Sequence, residues 1–577
     1  MNTVNELRVS DQGLTDLAVR VSDAAERATA FLFDRQRADG GWTDWLASSS
    51  LSTALGVLAL SCVDEAGYRS RIDGGLDWLR RNQRADGGWS MAETEPPSSP
   101  GMTAFAVGAL NALDPDGSRA CVERGMAFIE SQGYDGIPGM TGPKPKTWPA
   151  AAPLAWWLAG MKDIEELPRL PVETILLPSK LRNKVSIGLP GVLALGIMQA
   201  HLLPANRLRR FFQRLAEPRA LDWLRSALGP NGGIEECPML AALIVIGLRK
   251  AGVGQDVEQA SLGYLLSTQR EDGSWPVDRD LEIAVTAYAV LALAEFGDVA
   301  GDPRLAPTRD WLLSTQWTTP FAPLSLPPGG WSWNVPSGWP ESEDTAVVLS
   351  VLGLLGLTRD HPSVRAGLRW LNSRQNRNGS WSEWVRNSNL LNDKPCVGVT
   401  AHVVMALHQH GEPGGRRSPV GRALRYFERA QQPDGAAPSL WFRDSVHGTA
   451  KLLETYAELG RPDTAAGTLA RRWLLANQRP DGAWPASVEV SADRPTAEET
   501  AWALYSLLRC GMPPGDPRIV NGMRWLLDRQ DASGTWQPSP VGLYFEDFCY
   551  TSDLITHTYT LRTLGRWLRA ARPHRAS

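Results

Sequence analysis

Glu341, Glu343 and Asp344 place three carboxylates within four residues, directly ahead of Thr345-Ala346 and the largely apolar run Val347 to Leu352. Charges of one sign held together at the mouth of an apolar cavity do not all ionise easily. One carboxyl is therefore expected to keep its proton near neutral pH and to be able to donate it. The structural alternative is a plain helix N-terminus, with Ser342 or Asp344 as the cap and acids favoured in the first turn. Which of the two holds depends on what the rest of the chain builds around the segment.

What it builds is repetitive. An apolar-aromatic helix end, a Gln, a short polar turn with Gly and then a Trp recur along the whole length, as in Gln36-Arg37-Ala38-Asp39-Gly40-Gly41-Trp42 and Gln83-Arg84-Ala85-Asp86-Gly87-Gly88-Trp89. Later copies end at Trp275, Trp331, Trp381, Trp484 and Trp536, while those at Asn231-Gly232-Gly233 and Asp434-Gly435 have lost the Trp. Trp42 and Trp89 are 47 residues apart and Trp331 and Trp381 are 50 apart, a period that signals a repeat architecture. After each turn comes a second helical run rich in Ala, Leu and Val, such as Leu51 to Leu58 or Ile283 to Tyr288, so each copy reads as a helical hairpin. Helices apolar nearly all round must be buried, and those with Arg and Glu on one face can sit outside them. Alternating inner and outer helices of this kind make double-layered α-barrels.

Composition narrows the class. At 577 residues the chain exceeds what one core supports, which favours two large domains. With 59 basic against 63 acidic residues the net charge is −4, which offers no global field for nucleic acid. The opening residues lack a basic n-region and an apolar h-region, and the six cysteines form no close pair and no metal-type spacing, so a reducing, cytoplasmic setting is expected. No segment reaches the roughly 20 uninterrupted apolar residues that span a bilayer. The nearest, 187–204, follows Lys180, Arg182 and Lys184 and is read as a buried helix, with a membrane-interface position as the alternative.

The recurring phrase resembles the Gln-Trp repeat of the squalene-hopene cyclase and class II terpene cyclase superfamily, from about residue 22 to the end and in about nine degenerate copies. The resemblance implies an all-α fold of two (α/α) double-layered barrels arranged as a dumbbell. Residues 22–45 with 280–577 would form the catalytic barrel and 46–279 the inserted one, with 1–21 and 570–577 as flexible termini. It also implies that most of the 24 tryptophans clamp outer helices together, with the Gln bonding the turn.

Gly329-Gly330-Trp331-Ser332-Trp333 followed by Trp339-Pro340-Glu341-Ser342-Glu343-Asp344-Thr345-Ala346 is similar to the family's acid signature, with Glu in place of its first and middle Asp. By that resemblance Glu343 is the acid that protonates an alkene or epoxide, and Glu341 and Asp344 hold its hydrogen-bond geometry. Val399-Thr400-Ala401-His402 resembles the segment whose His partners the acidic motif, which would let His402 orient the donor. The carbocation needs a dry cavity lined by π faces. Trp333, Trp339, Trp384, Trp441, Tyr544 and Phe548 are the aromatic candidates, the last two from Leu543-Tyr544-Phe545-Glu546-Asp547-Phe548.

The chain also departs from the family. Glu extends the acid by one methylene, Arg443 to His447 is polar where squalene cyclases carry tyrosines, and a stretch near 205–215 that contributes to membrane attachment and substrate entry in those enzymes is missing. These departures point to an isoprenoid substrate with a polar head, such as a prenyl diphosphate bound by Arg443 or a prenylated aromatic, with squalene as the alternative. Protonation needs no cofactor, and Mg2+ enters only with a diphosphate. Peripheral contact with the inner membrane face is a candidate. Competing readings are a non-catalytic lipid binder, a two-carboxylate carbohydrate enzyme, and a zinc prenyltransferase using Asp547, Cys549 and His557.

Overall fold

The computed structural model describes residues 11–90, 98–134, 151–186, 188–390, 393–443, 445–484, 495–544 and 548–572. Six helices, Glu282–Leu293, Ser342–Leu354, Val397–Gln409, Val446–Glu458, Ala497–Arg509 and Asp553–Ala571, pack each on the next and the last on the first, closing an inner ring. Most of their residues are buried, which is why their sequences are apolar on every side. Outer helices Pro362–Arg374, Pro419–Ala430, Ala465–Ala476, Pro517–Leu527 and Asp11–Asp34 lean on this ring, each with one buried face. A second double layer is built by Ser50–Asp64, Pro100–Leu113, Ala151–Leu158, Leu189–Leu202 and Pro238–Ala251, which neighbour one another inside a further set of outer helices. The fold is all-α, with one short antiparallel ribbon among the described residues, Gly542–Tyr544 against Phe548–Tyr550.

The repeat phrase works as a clamp. Gln375 donates from Nε2 to the carbonyl of Gly379 in its own turn and to that of Pro419 at the start of the next outer helix, both at 2.8 Å. Gln316, Gln478 and Gln530 make the same pair of bonds, and Gln530 reaches Ala24 to tie the last outer helix to the first. The Trp of each turn sends its indole N–H back to a Leu carbonyl, and for Trp42, Trp89, Trp275, Trp331, Trp381 and Trp484 the backbone N–H goes to a Thr on an inner helix, as with Trp381, Leu371 and Thr400. Thr345 and Thr400, which sit inside the two motifs singled out above, therefore serve the repeat. Gly379 takes φ 96°, and a Cβ there would lie 2.4 Å from the Arg422 carbonyl oxygen, so no other residue fits the turn.

One expectation changes. Residues 11–21 belong to the Asp11–Asp34 helix, with Leu17 and Val21 buried, and 570–571 end the last helix, so these parts of the supposed flexible termini are ordered by packing. Residues Arg207–Ala227 form one helix, whose Leu208, Phe211, Phe212 and Leu215 are exposed. Leu189–Leu202 is largely buried, and among the described residues no helix is long and apolar enough to cross a membrane.

Candidate active site

The turn after Gly329 lies across the first turn of the 342–354 helix. Glu341 N–H donates to the Trp331 carbonyl at 2.8 Å, and the Thr345 hydroxyl donates to the Glu341 carbonyl at 2.5 Å. Neither Ser342 nor Asp344 caps this helix. The Ser342 hydroxyl instead bonds the carbonyls of Ser382 and Glu383, and the Glu343 N–H donates to Glu383 Oε2 at 3.0 Å. The capping carboxylate thus comes from the next repeat.

Glu341, Glu343 and Asp344 line a cavity of roughly 570 Å³, and Asp278 is a fourth carboxylate on its wall. The remaining wall is largely aromatic and aliphatic. Trp333, Trp384 and Trp441 stand edge to face in series, with ring centroids 5.9 and 5.7 Å apart, and Tyr288, Phe442 and Tyr550 complete the aromatic lining. Asp393 fixes the Trp384 loop by accepting the N–H groups of Trp384 and Val385. Glu383 Oε1 accepts the Trp441 indole N–H at 2.6 Å. One residue thus anchors both the acid segment and a cavity aromatic.

Glu343 Oε1 is 3.2 Å from His402 Nδ1 and accepts from the Tyr288 hydroxyl at 3.4 Å. Burial pushes Glu343 up, but the charges of His402 and Lys451 and the bonds from His402 and Tyr288 outweigh it and hold the carboxyl below its ordinary value. Burial and Lys451 push His402 down as well. With both members depressed, the pair binds its proton weakly, which makes it a strong acid. Its neighbours behave in the opposite way. Burial and the charge of Glu383 hold Glu341 well above the carboxylate range, burial and Glu343 do the same to Glu383, and Asp344 is raised to about 6 by burial and the charge of Glu343. The crowded segment does retain protons near neutrality, but on the carboxyls around Glu343.

His402 also borders a second cavity, of roughly 900 Å³, at the other end of the ring. There Glu454 accepts from Lys451 at 3.0 Å and from Arg562 at 2.9 Å.

Not every expected residue reaches the site. Trp339 is buried away from the cavity wall, against Trp223 and Phe321, and drops out of the substrate-binding set because it fills the core there. Arg443 is also off the wall. It is buried with Nε 3.8 Å from Glu499 Oε1, and its N–H bonds the Val541 carbonyl, so its charge is answered within the protein. Tyr544 and Phe548 lie on the ribbon, but their side chains fall outside the described residues. His557 spends both ring nitrogens on Ala28 and Thr535, which removes it from a zinc set; Asp547 and the Cys549 side chain lie outside the described residues.

Glu383, Asp278, Tyr288 and Lys451 were not singled out from the sequence. Glu383 did carry a signal, an acid two residues beyond a repeat Trp. Asp44 holds the same place after Trp42 and bonds Ser552 and the Leu554 N–H at the start of the last inner helix.

Residues 282–568 match the description "Squalene-hopene cyclase C-terminal domain", and residues 25–186 match "Squalene-hopene cyclase N-terminal domain". The chain is 26% identical to the squalene-hopene cyclase of Alicyclobacillus acidocaldarius over 94% of its own length and 97% of the relative's. It is 24% identical to enfumafungin synthase of Hormonema carpetanum over 90% of its length and 46% of that protein. Among solved structures, ent-copalyl diphosphate synthase from Streptomyces platensis shares the fold, with a TM-score of 0.61 and 20% identity, covering 95% of this chain and 99% of that one. The chain belongs to the squalene-hopene cyclase family of class II terpene cyclases.

Proposed function

We propose that this protein cyclises a linear polyprenyl chain by protonating an alkene or epoxide with Glu343, in the barrel formed by the six-helix ring and its outer helices. The observation that carries this reading is the Glu343 and His402 pair on the wall of an indole-lined cavity. Of the four clustered carboxyls Glu343 is the one held low, hence the strongest donor when loaded, and Glu341, Asp344 and Glu383 hold protons around it. Trp333, Trp384 and Trp441 offer π faces to the travelling positive charge, each worth about 0.5–2 kcal/mol.

The part of the substrate inside the cavity is uncharged in this reading. Among the described residues the wall carries acidic side chains and no Lys or Arg to pair with a diphosphate, and Arg443 faces Glu499 instead of the cavity. This moves squalene and neutral prenylated phenols ahead of the diphosphates, and Mg2+ has no part to play with them. Incubating purified protein with squalene, a prenylated phenol and geranylgeranyl diphosphate tests it: turnover of the diphosphate alone rejects the neutral substrate, and turnover of none rejects the cyclase reading.

Turnover should fall as pH rises from about 5 to 8, by roughly tenfold per unit where one proton is essential. The sign follows from Glu343, which is held below its ordinary value and so carries its proton in an ever smaller share of molecules as pH rises above it. A pH–rate profile flat between about 5 and 8 rejects this.

Peripheral membrane contact belongs to the same reading. Leu208, Phe211, Phe212 and Leu215 make an i, i+3, i+4, i+7 stripe exposed beside Arg207, Arg210 and Arg214. Sedimentation with phosphatidylglycerol vesicles should pellet the protein. A Phe211→Ser, Phe212→Ser double variant should bind at least about tenfold more weakly, given about 1.5–3 kcal/mol per buried Phe; equal pelleting of the two proteins counts against the contact.

A further inference from the structure

Among the described residues, Asp278 is the one acidic side chain on the cavity wall that lies outside the acid cluster. It sits in the loop between the helices Gln255–Thr268 and Glu282–Leu293, and it is fully buried. That loop is held from several sides: Arg279 N–H donates to the Glu236 carbonyl, Cys237 Sγ reaches the Val277 carbonyl, and Arg279 pairs with Glu236 and Asp280. Tyr550 lines the same cavity as Asp278 and Glu343.

Behind Asp278 the backbone is under strain. Glu235 and Glu236 are consecutive residues at φ 58° and 53°, in the left-handed region that residues with a Cβ avoid. Glu236 repays this with bonds from Ser337 and Asn231. Glu235 does not: its Oε1 is buried without a hydrogen-bond partner, and the carboxyl is held well above its usual range by burial and by the charge of Asp278. The Glu235 carboxyl thus keeps its proton, and Asp278 presents a second buried carboxyl to the cavity.

We propose that Asp278 ends the reaction by taking a proton from the final carbocation. The proposal rests on the cyclase reading above. A C–H bond on the carbon next to the cationic centre breaks, its electron pair becomes the π bond of an alkene, and the proton passes to the Asp278 carboxylate. The proton given by Glu343 at the start balances the one taken at the end, so the product is a polycyclic isomer of the substrate. Solvent reloads Glu343 and discharges Asp278.

The test compares wild type and Asp278→Asn on whichever neutral polyprenyl substrate the wild type turns over, with products resolved by gas chromatography and mass spectrometry. The wild-type product should have the mass of the substrate. Asp278→Asn should still consume substrate, more slowly, with the share of the wild-type alkene lowered at least tenfold in favour of other alkenes and water-captured alcohols. If Asp278→Asn does not fold, Asp278→Ser is read the same way. A wild-type product that carries an added water, or an unchanged product ratio in the variant, overturns the assignment while leaving the cyclase reading standing; no turnover by the wild type overturns both.

Discussion

Glu343→Gln should lower cyclisation by about a thousandfold or more, the upper part of the range that general acids contribute. The substitution keeps the volume of the side chain and one hydrogen-bond acceptor for Tyr288 and His402, but the amide has no acidic proton to give. No neighbour makes good the loss easily. Glu341, Asp344 and Glu383 hold their protons more tightly, because none of them has the His402 and Lys451 charges that depress Glu343. An alkene is a poor base, so a weaker donor costs rate directly. Substrate turnover by gas chromatography, read beside the melting temperature, checks this. Turnover within tenfold of wild type at an unchanged melting temperature would assign the donor to another carboxyl of the cluster.

Trp331→Ala should destabilise the protein by about 3–5 kcal/mol, the range for truncating a buried aromatic. The indole is fully buried, donates to the Leu312 carbonyl at 2.7 Å, and packs where the Gly367 backbone comes close enough that a Cβ would lie 2.9 Å from its ring. Its backbone holds Thr345 and Glu341, so loosening the turn also loosens the acid segment. Urea unfolding measures the loss; a change below about 1 kcal/mol would mean that the repeat tryptophans are not the clamps that their hydrogen bonds suggest.

The difference between what the chain announces and what it conceals follows from distance along the sequence. Gln, Gly and Trp of a turn are neighbours whose bonds close largely within one hairpin, so Gln375, Gly379 and Trp381 can be recognised in a single line of sequence. Inner and outer helices are legible for the same reason, from the charge pattern of each run. Glu383 acts on Glu343, a full repeat away, and Asp278 meets Glu235 and the cavity only after two double layers have closed on each other. Arg443 looked like an anion site because Glu499, which answers it, lies 56 residues further on. Trp339 stands two residues before Glu341, yet its ring turns to Trp223 and Phe321 instead of the cavity. Side-chain direction at such places is set by packing, which a motif does not record.

The closed ring also has an electrical polarity. The last turns of all six inner helices border the rear cavity, through Ala294, Leu354, Gln409, Glu458, Arg509 and Arg569, so all six run in the same direction. Their peptide dipoles add instead of cancelling, with the positive pole at the cavity that holds Glu343 and the negative pole at the rear. Glu341, Glu343 and Asp344 stand at the positive pole, while the negative one carries both signs, Lys451, Arg509, Arg562 and Arg569 beside Glu295, Glu454 and Glu458. A carbocation is therefore created at the end of the barrel whose backbone repels it most. Glu343, the carboxyl held below its ordinary value, sits at that pole and offsets part of a field that would otherwise raise the energy of the positive charge the cavity must carry.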